Sequence, residues 1–275
     1  MMVSNLVGVV GGDEDSPPDI ADVLLSLRIY RRMTRRVLAQ KTGISAQTIE
    51  EVEQGLRPVS RTFLRLMLEA LDSNPVAHSE YADLAFEPDT VKQRLSAAET
   101  SSPQVHDLAE LHALDCPAAL MTPADCNLLA TNEQFDRALP GASEHGNLIK
   151  WLLLDERARR VLPEPYWTRE THQLVGTLHC LWPTFVPRPR LGVLLSDLVD
   201  APEFQRFWFT PTETVEDPSN SIQLRDFKTG DVAEHYRQTS QPEPPQPRTW
   251  RLFKLTPKLP DRGGSPQQEL FHLDD

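Results

Sequence analysis

The sequence predicts two domains, a small all-α head followed by a larger α+β body with an antiparallel sheet. Three observations carry that expectation. From Ile20 to Leu71, apolar residues recur three and four apart in short runs with tight connections. In the last third, "SIQLRDF", "GDVAEHYRQT" and "RTWRLFKLT" alternate apolar and polar residues with the period of strands. Charge is as uneven as spacing. Residues 28–65 hold nine basic groups (Arg28, Arg31, Arg32, Arg35, Arg36, Lys41, Arg57, Arg61, Arg65) against three acids, an excess of six, so the remainder of a chain of net charge -12 carries -18.

Residues 1–18 read as a flexible arm, because Gly11-Gly12, three acids and Pro17-Pro18 bury little surface. Order is expected from Asp19. Ile20, Val23, Leu24 and Leu27 mark a first helix, Val37 and Leu38 a second, Ile49 and Val52 a third, and Phe63, Leu64, Met67, Leu68 and Leu71 a fourth. "SNP" breaks the pattern and a fifth helix follows at about 76–85, which completes a head over 19–87. "EPDTVKQRLSAAETSSPQ" reads as a polar helix running into a linker over 88–106. The body spans 107–260. There "AALM" and "CNLLAT" are strand-like runs about a turn at "TPAD", and "NEQFDRAL" is a helix. Further helices are expected at 147–162, 165–180, 189–199 and 202–208, before the three alternating strands with their "KTG" turn and "QPEPPQP" loop. Residues 261–275 read as a flexible tail.

A chain this acidic is repelled by nucleic acid and by anionic membranes, so a polyanion can bind only at the basic segment. Cys116, Cys126 and Cys180 form no CxxC pair, which fits a reducing cytoplasm better than a disulfide framework or a zinc ribbon. The start lacks the basic flank of a secretory signal, and no stretch approaches the roughly 20 apolar residues of a membrane span. HExxH, GxSxG, GxGxxG and P-loop patterns are absent, so neither an enzyme nor a metal site is expected and no cofactor is required. Cys116-Pro117 is a poor haem signal, and His172 and His179, seven apart, read as surface or core groups rather than an acid/base pair.

The basic segment contains "TRRVLAQKTGISAQTIEEVEQG", residues 34–55. Thr34 can cap a helix running to about Thr42, with Val37 and Leu38 turned inward and Ala39 small enough for a neighbour to approach. Gly43 supplies the left-handed position that stops it. Ser45 caps the next helix, whose Ile49 and Val52 share a face, leaving Ala46, Gln47, Glu50 and Glu51 turned away from the core. Two helices packed in this way form a helix-turn-helix, and the first turn of the second helix meets base edges in the major groove. A helical hairpin of the same packing without DNA is the alternative.

The block resembles the Cro/C1-type (XRE) helix-turn-helix family. Its pattern LAxxxGhSxxxIxxhExG (h, apolar) is matched by Leu38, Ala39, Gly43, Ile44, Ser45, Ile49, Val52, Glu53 and Gly55. The resemblance implies a five-helix, lambda-repressor-like head that binds double-stranded operator DNA. It also implies an ion pair of Glu53 with Arg28, and phosphate contacts from Arg35, Gln54 and Arg57. Ala46, Gln47 and Glu51 are the candidates at the bases, since an amide can pair with adenine N6 and N7 and a carboxylate can accept from cytosine N4. A solvated Glu51 that slightly weakens binding is the alternative for that residue. Glu50 is expected at the groove edge.

Residues 116–260 carry "LLATNEQFDRAL", "NLIKWLLLDERARRVLPEPYW" and "LLSDLVDAPEFQRFWF". These resemble the C-terminal domain of MmyB-like regulators, with matches at Asn132, Asn147, Leu148, Asp155, Arg157, Trp167, Leu178, Phe204 and Trp208. The resemblance implies a PAS-like fold and a bound fatty acid or similar amphipathic small molecule. Glu156, His179 and Ala201 stand where the family often has Pro, Arg and Ser, and "FKTG" replaces a turn containing His-Pro. If the usual Arg holds an anionic head group, His179 weakens carboxylate binding or makes it depend on pH near neutrality. Independently of any family, Phe135, Trp151, Trp182, Phe204, Phe207, Trp208, Phe227 and Tyr236 can wall an apolar pocket between sheet and helices, although each alone can equally be core. The candidate ligand contacts are Phe135, Trp151, Leu178, His179, Trp182, Phe204, Trp208 and Tyr236.

These features lead to the expectation of a transcription regulator that binds operator DNA as a homodimer and responds to a small apolar effector, without membrane attachment. The rival keeps the DNA-binding head and makes the body a ligand-free dimerisation or protein-partner module.

Overall fold

The computed structural model describes residues 19–71, 75–97, 102–211, 220–240 and 250–258; the expected arm and tail lie outside them. The head comprises α1 (Ile20–Tyr30), α2 (Arg35–Thr42), α3 (Ala46–Glu53), α4 (Arg61–Ala70) and α5 (Pro75–Phe86). A side chain starts each of the first four. Asp19 accepts from the Ala21 N–H at 3.4 Å, Thr34 from Val37 at 3.2 Å, Ser45 from Thr48 at 3.0 Å and Ser60 from Phe63 at 3.1 Å. Gly43 ends α2 at φ +71°, a conformation that a Cβ disfavours. Leu24, Leu38, Ile49, Met67 and Leu71 are fully buried at the centre of the head. Val37 does not turn inward as expected and is 41% exposed. Leu38 holds the core-facing line of α2, and a chain neighbour lies about 100° round the helix from it.

α6 (Pro88–Ala97) and α7 (Val105–His112) lead to the body. Its sheet consists of β1 (Ala118–Met121), β2 (Leu128–Thr131), β3 (Ser221–Arg225), β4 (Val232–Ser240) and β5 (Arg251–Pro257), antiparallel throughout in the order β2-β1-β5-β4-β3. The last strand thus lies beside the first, with Leu120 opposite Leu252. Strand alternation gives the sheet two faces. On one, Leu111 of α7 packs with Ala118, Leu120 and Trp250. On the other, Ala119, Phe253 and Leu255 join the main core under the helices.

Between β2 and β3 come α8 (Glu133–Ala138), α9 (Ala142–His145), α10 (Leu148–Leu154), α11 (Glu156–Val161), α12 (Tyr166–Phe185), α13 (Arg188–Leu198) and α14 (Pro202–Phe209). The single helix expected over 147–162 is two. Asp155 ends α10 and starts α11, its carboxylate accepting from the Arg157 N–H at 2.9 Å, and α11 leaves in a new direction. α12 continues past the expected end at 180, because Leu181 and Trp182 are buried there and Phe185 meets Tyr81 of the head, with ring centroids 6.4 Å apart.

Candidate DNA-reading face and sensor core

The second helix of the helix-turn-helix exposes Ala46 and Gln47 to solvent, with Glu50 and Glu51 half-buried beside them. All three of its carboxylates are paired with arginines. Glu53, buried, accepts from Arg28 Nε at 2.6 Å and Nη2 at 2.9 Å, and from Arg35 Nε at 2.8 Å. Burial alone would push a guanidinium down, but the bond to Glu53 outweighs it and raises the Arg28 pKa further. Glu50 accepts from Arg35 Nη1 at 2.9 Å and Glu51 from Arg57 Nε at 3.0 Å. Arg35, expected on phosphate, therefore commits two of its three nitrogens inside the head, and Arg57 leans on the reading helix. Gln54, the other expected phosphate contact, is exposed directly after α3. Arg36 and Lys41, which belong to the basic segment but not to the expected contacts, stand exposed on α2 without an ion-pair partner among the described residues.

In the body, seven of the eight expected ligand contacts lie on the helical side of the sheet. Phe135 of α8 is buried edge-on to Phe253 of β5, with centroids 6.5 Å apart. Trp151 of α10 is buried with its Nε1 donating to the Pro140 carbonyl at 3.0 Å. On α12, Leu178 and Trp182 are buried; on α14, Phe204 and Trp208 are buried and tilt against each other at 5.4 Å. His179 of α12 sits edge-on to Trp208 at 4.7 Å. Tyr236 is the exception. Arg237, its neighbour on β4, reaches Glu170 and Gln173 on α12, so alternation sends Tyr236 to the opposite face, where the Lys258 ammonium lies 5.7 Å from its ring. It walls no pocket between sheet and helices.

The positions that carried the second resemblance hold elements together. Asn132 caps α8, Asn147 caps α10 and Asp155 caps α11. Arg157 pairs with Asp155 and Glu144, and its bond holds the Asp155 carboxyl below the usual carboxylate range. Trp167 donates from Nε1 to the Leu152 carbonyl at 2.9 Å.

Residues 19–80 match the model of a helix-turn-helix domain, and residues 102–263, more than half of the chain, match that of the MmyB-like transcription regulator ligand-binding domain. The chain is an MmyB-like transcription regulator. No curated protein matches it. The two matches make DNA a partner of the head and a small molecule the effector of the body. No helix among the described residues is long and apolar enough to cross a membrane.

In this MmyB-like regulator the head is docked on the same helices that carry the aromatic core. Tyr30, the last residue of α1, stacks on His179 with centroids 4.1 Å apart and 23° between the rings. Its hydroxyl donates to the Thr210 carbonyl at 3.2 Å, and His172 Nε2 lies 2.7 Å from the same oxygen. A carbonyl only accepts, so Nε2 of His172 carries the proton. Tyr81 of α5 donates to the Cys180 carbonyl at 3.0 Å. Across the joint, Glu80, buried, takes Arg251 of β5 on one oxygen and Arg94 of α6 at 3.4 Å on the other, and Arg94 also donates to Asp83 at 2.9 Å. Apart from Arg94 with Glu80 and Asp83, which join the consecutive helices α5 and α6, these partners are far apart in sequence, and no local pattern announces them.

Burial pushes the His179 imidazole down to about 4, and its Nδ1 is buried without a hydrogen-bond partner among the described residues. The ring is neutral at pH 7, which leaves no cation there for a carboxylate head group. The unfolded ring titrates near 6.5, so the folded chain binds fewer protons between that pH and about 4. Stability should be constant above about pH 6.5 in this respect and decline as pH falls through that window. Urea unfolding of the wild type and of His179→Phe across pH 4–7 checks this: the variant should lose that part of the pH dependence, and an unchanged profile would place the titration elsewhere.

Proposed function

We propose that the body binds a small apolar or fatty-acid-like effector within its aromatic core, and that occupancy changes the affinity of the head for operator DNA. The observation that carries this reading is the stack from Tyr30 through His179 to Trp208. An effector that moves α14 against α12 shifts the surface on which the head rests, and by linkage operator DNA then changes effector affinity by the same factor. The strand order β2-β1-β5-β4-β3 supports a PAS-like reading of the body. On the DNA side, Gln47 contacts bases in the major groove with Ala46 and Glu51 beside it, while Gln54 and the cations Arg35, Arg36, Lys41 and Arg57 serve phosphate. The regulator acts in the cytoplasm as a homodimer on a two-fold site, and its operator binding weakens steeply with salt as counterions are released.

Native mass spectrometry of the gently purified full chain tests the effector reading. A persistent non-protein mass of a few hundred daltons supports it. A ligand-free dimer that resists loading with palmitate would favour the rival, a body that only dimerises or holds a protein partner. The route is tested by Tyr30→Leu, which keeps apolar surface at the joint but loses the stack and the hydroxyl. Effector binding should persist in this variant while the change in operator affinity on ligand loading falls to under about a third of the wild-type factor, a typical coupling being roughly 5–150-fold.

A further inference from the structure

On the face of α3 that the groove would meet, two polar side chains are linked to a third from the turn after the helix. Gln47 Nε2 donates to Glu51 Oε1 at 3.1 Å, and Arg57 Nε donates to Glu51 Oε2 at 3.0 Å. An ionised carboxylate has no hydrogen to give, so the atom of Gln47 that faces it is the nitrogen and never the oxygen. That restriction matters for reading. An adenine edge offers a donor, N6–H, beside an acceptor, N7, and the amide oxygen with the hydrogen next to it is complementary to that pair. A guanine edge offers two acceptors, O6 and N7, which would need both amide hydrogens turned outward.

We propose that Glu51 is a positioning residue: it holds one hydrogen of the Gln47 amide, the one remote from the carbonyl, and thereby fixes the other hydrogen and the oxygen in the sense that reads adenine and rejects guanine. Arg57 holds Glu51 in place and cancels its charge, so the carboxylate does not repel the DNA. The inference rests on the reading of Gln47 as a base contact. It departs from the simpler idea that Glu51 itself accepts from cytosine N4, because both of its oxygens are already engaged in the free protein.

The test is selection of full-chain binding sites from a randomised duplex pool, followed by affinities for the four bases at each selected position. The wild type should prefer adenine over guanine by about tenfold at one base pair of each half-site. Gln47→Ala should erase that preference and identify the base pair. Glu51→Ala should cut the adenine-to-guanine ratio there at least threefold and leave the other positions unchanged, and Glu51→Gln, whose single oxygen stays with Arg57 while its N–H can donate to the Gln47 oxygen, should lower the ratio as well. A ratio within twofold of wild type in Glu51→Ala would overturn the positioning role while leaving Gln47 as the reader. Loss of a cytosine preference at a neighbouring base pair instead would mean that Glu51 reads directly, and it too overturns the inference. If Gln47→Ala alters no preference, the reading on which the inference rests falls, and the inference with it.

Discussion

Glu53→Ala is expected to lower the unfolding free energy of the head by about 3–5 kcal/mol, the range seen when one partner of a buried ion pair is removed. The Glu53 side chain is 1% exposed, and its carboxylate takes three charged hydrogen bonds from Arg28 and Arg35 at 2.6–2.9 Å. Arg28 gives its remaining nitrogen, Nη1, to the Met33 carbonyl at 3.0 Å, so a single guanidinium joins α1, the turn before α2 and the end of α3. An acid at the C-terminal end of a helix also opposes the helix dipole, which makes α3 dependent on those arginines. Alanine would leave Arg28, itself largely buried, without its counter-charge. Glu53→Gln preserves shape and one acceptor and should cost less, about 1–3 kcal/mol. The double change Arg28→Met with Glu53→Leu should recover much of the loss, because a cost that arises from an orphaned charge vanishes when both charges go. Hydrogen exchange of the α1–α3 amides in the full chain measures this locally. A loss under about 1 kcal/mol for Glu53→Ala would show that the pair behaves as a solvated one.

What the sequence made legible follows the range of the forces involved. The head was readable because its determinants are local: Thr34, Ser45 and Ser60 cap the helices that follow them, Gly43 takes the positive φ, and the apolar spacing selects the buried line. The pairing of Glu53 with Arg28 followed from the resemblance, and the structure adds Arg35 as a second partner. The partners of Glu50 and Glu51 depend on which way long arginine side chains turn, and spacing says nothing of that. In the body, "LLLDERARR" contained the cap that divides α10 from α11, but a continuous apolar and charged run concealed it. Tyr236 was misplaced for a different reason. Alternation states that Tyr236 and Arg237 face opposite ways; only the bond from Arg237 to Glu170, 67 residues away, states which way.

The joint between head and body was the least legible part and bears most on regulation. Glu80 and Arg251 are 171 residues apart, and a glutamate on a mostly apolar helix reads as a solvated group until its partner is placed. Tyr30, at the end of α1, is likewise far in the sequence from His179, its partner on α12. Its contact with His179 gives a residue first expected to touch ligand a place between the two domains. The departure from the family's Arg at that position is consistent with this, since a neutral ring stacks where a guanidinium would have to be desolvated.

Asn132→Ala should be comparably damaging to the body, by about 3–5 kcal/mol, through a different mechanism. Asn132 is 1% exposed and makes its bonds with three elements at once. Its oxygen accepts from the Ala118 N–H at 3.0 Å, at the start of β1, and from the Phe135 N–H at 2.9 Å, in the first turn of α8. Its nitrogen donates to the Cys116 carbonyl at 2.9 Å and lies 3.3 and 3.4 Å from the carbonyls of Leu114 and Leu111 at the end of α7. Alanine strands two buried N–H groups and at least one carbonyl, each costing roughly 1–3 kcal/mol. Asn132→Asp separates the two halves of the role: it keeps the acceptor for the caps but aims a carboxylate at three carbonyl oxygens. It should be no more stable than alanine, and thermal unfolding of the full chain measures both. Wild-type stability in Asn132→Asp would show that the amide hydrogens are idle and that the residue is only a helix cap. Because α8 carries Phe135 into the aromatic core, the same variants should weaken effector retention before they affect operator binding, which depends on a head with its own caps and its own buried ion pair.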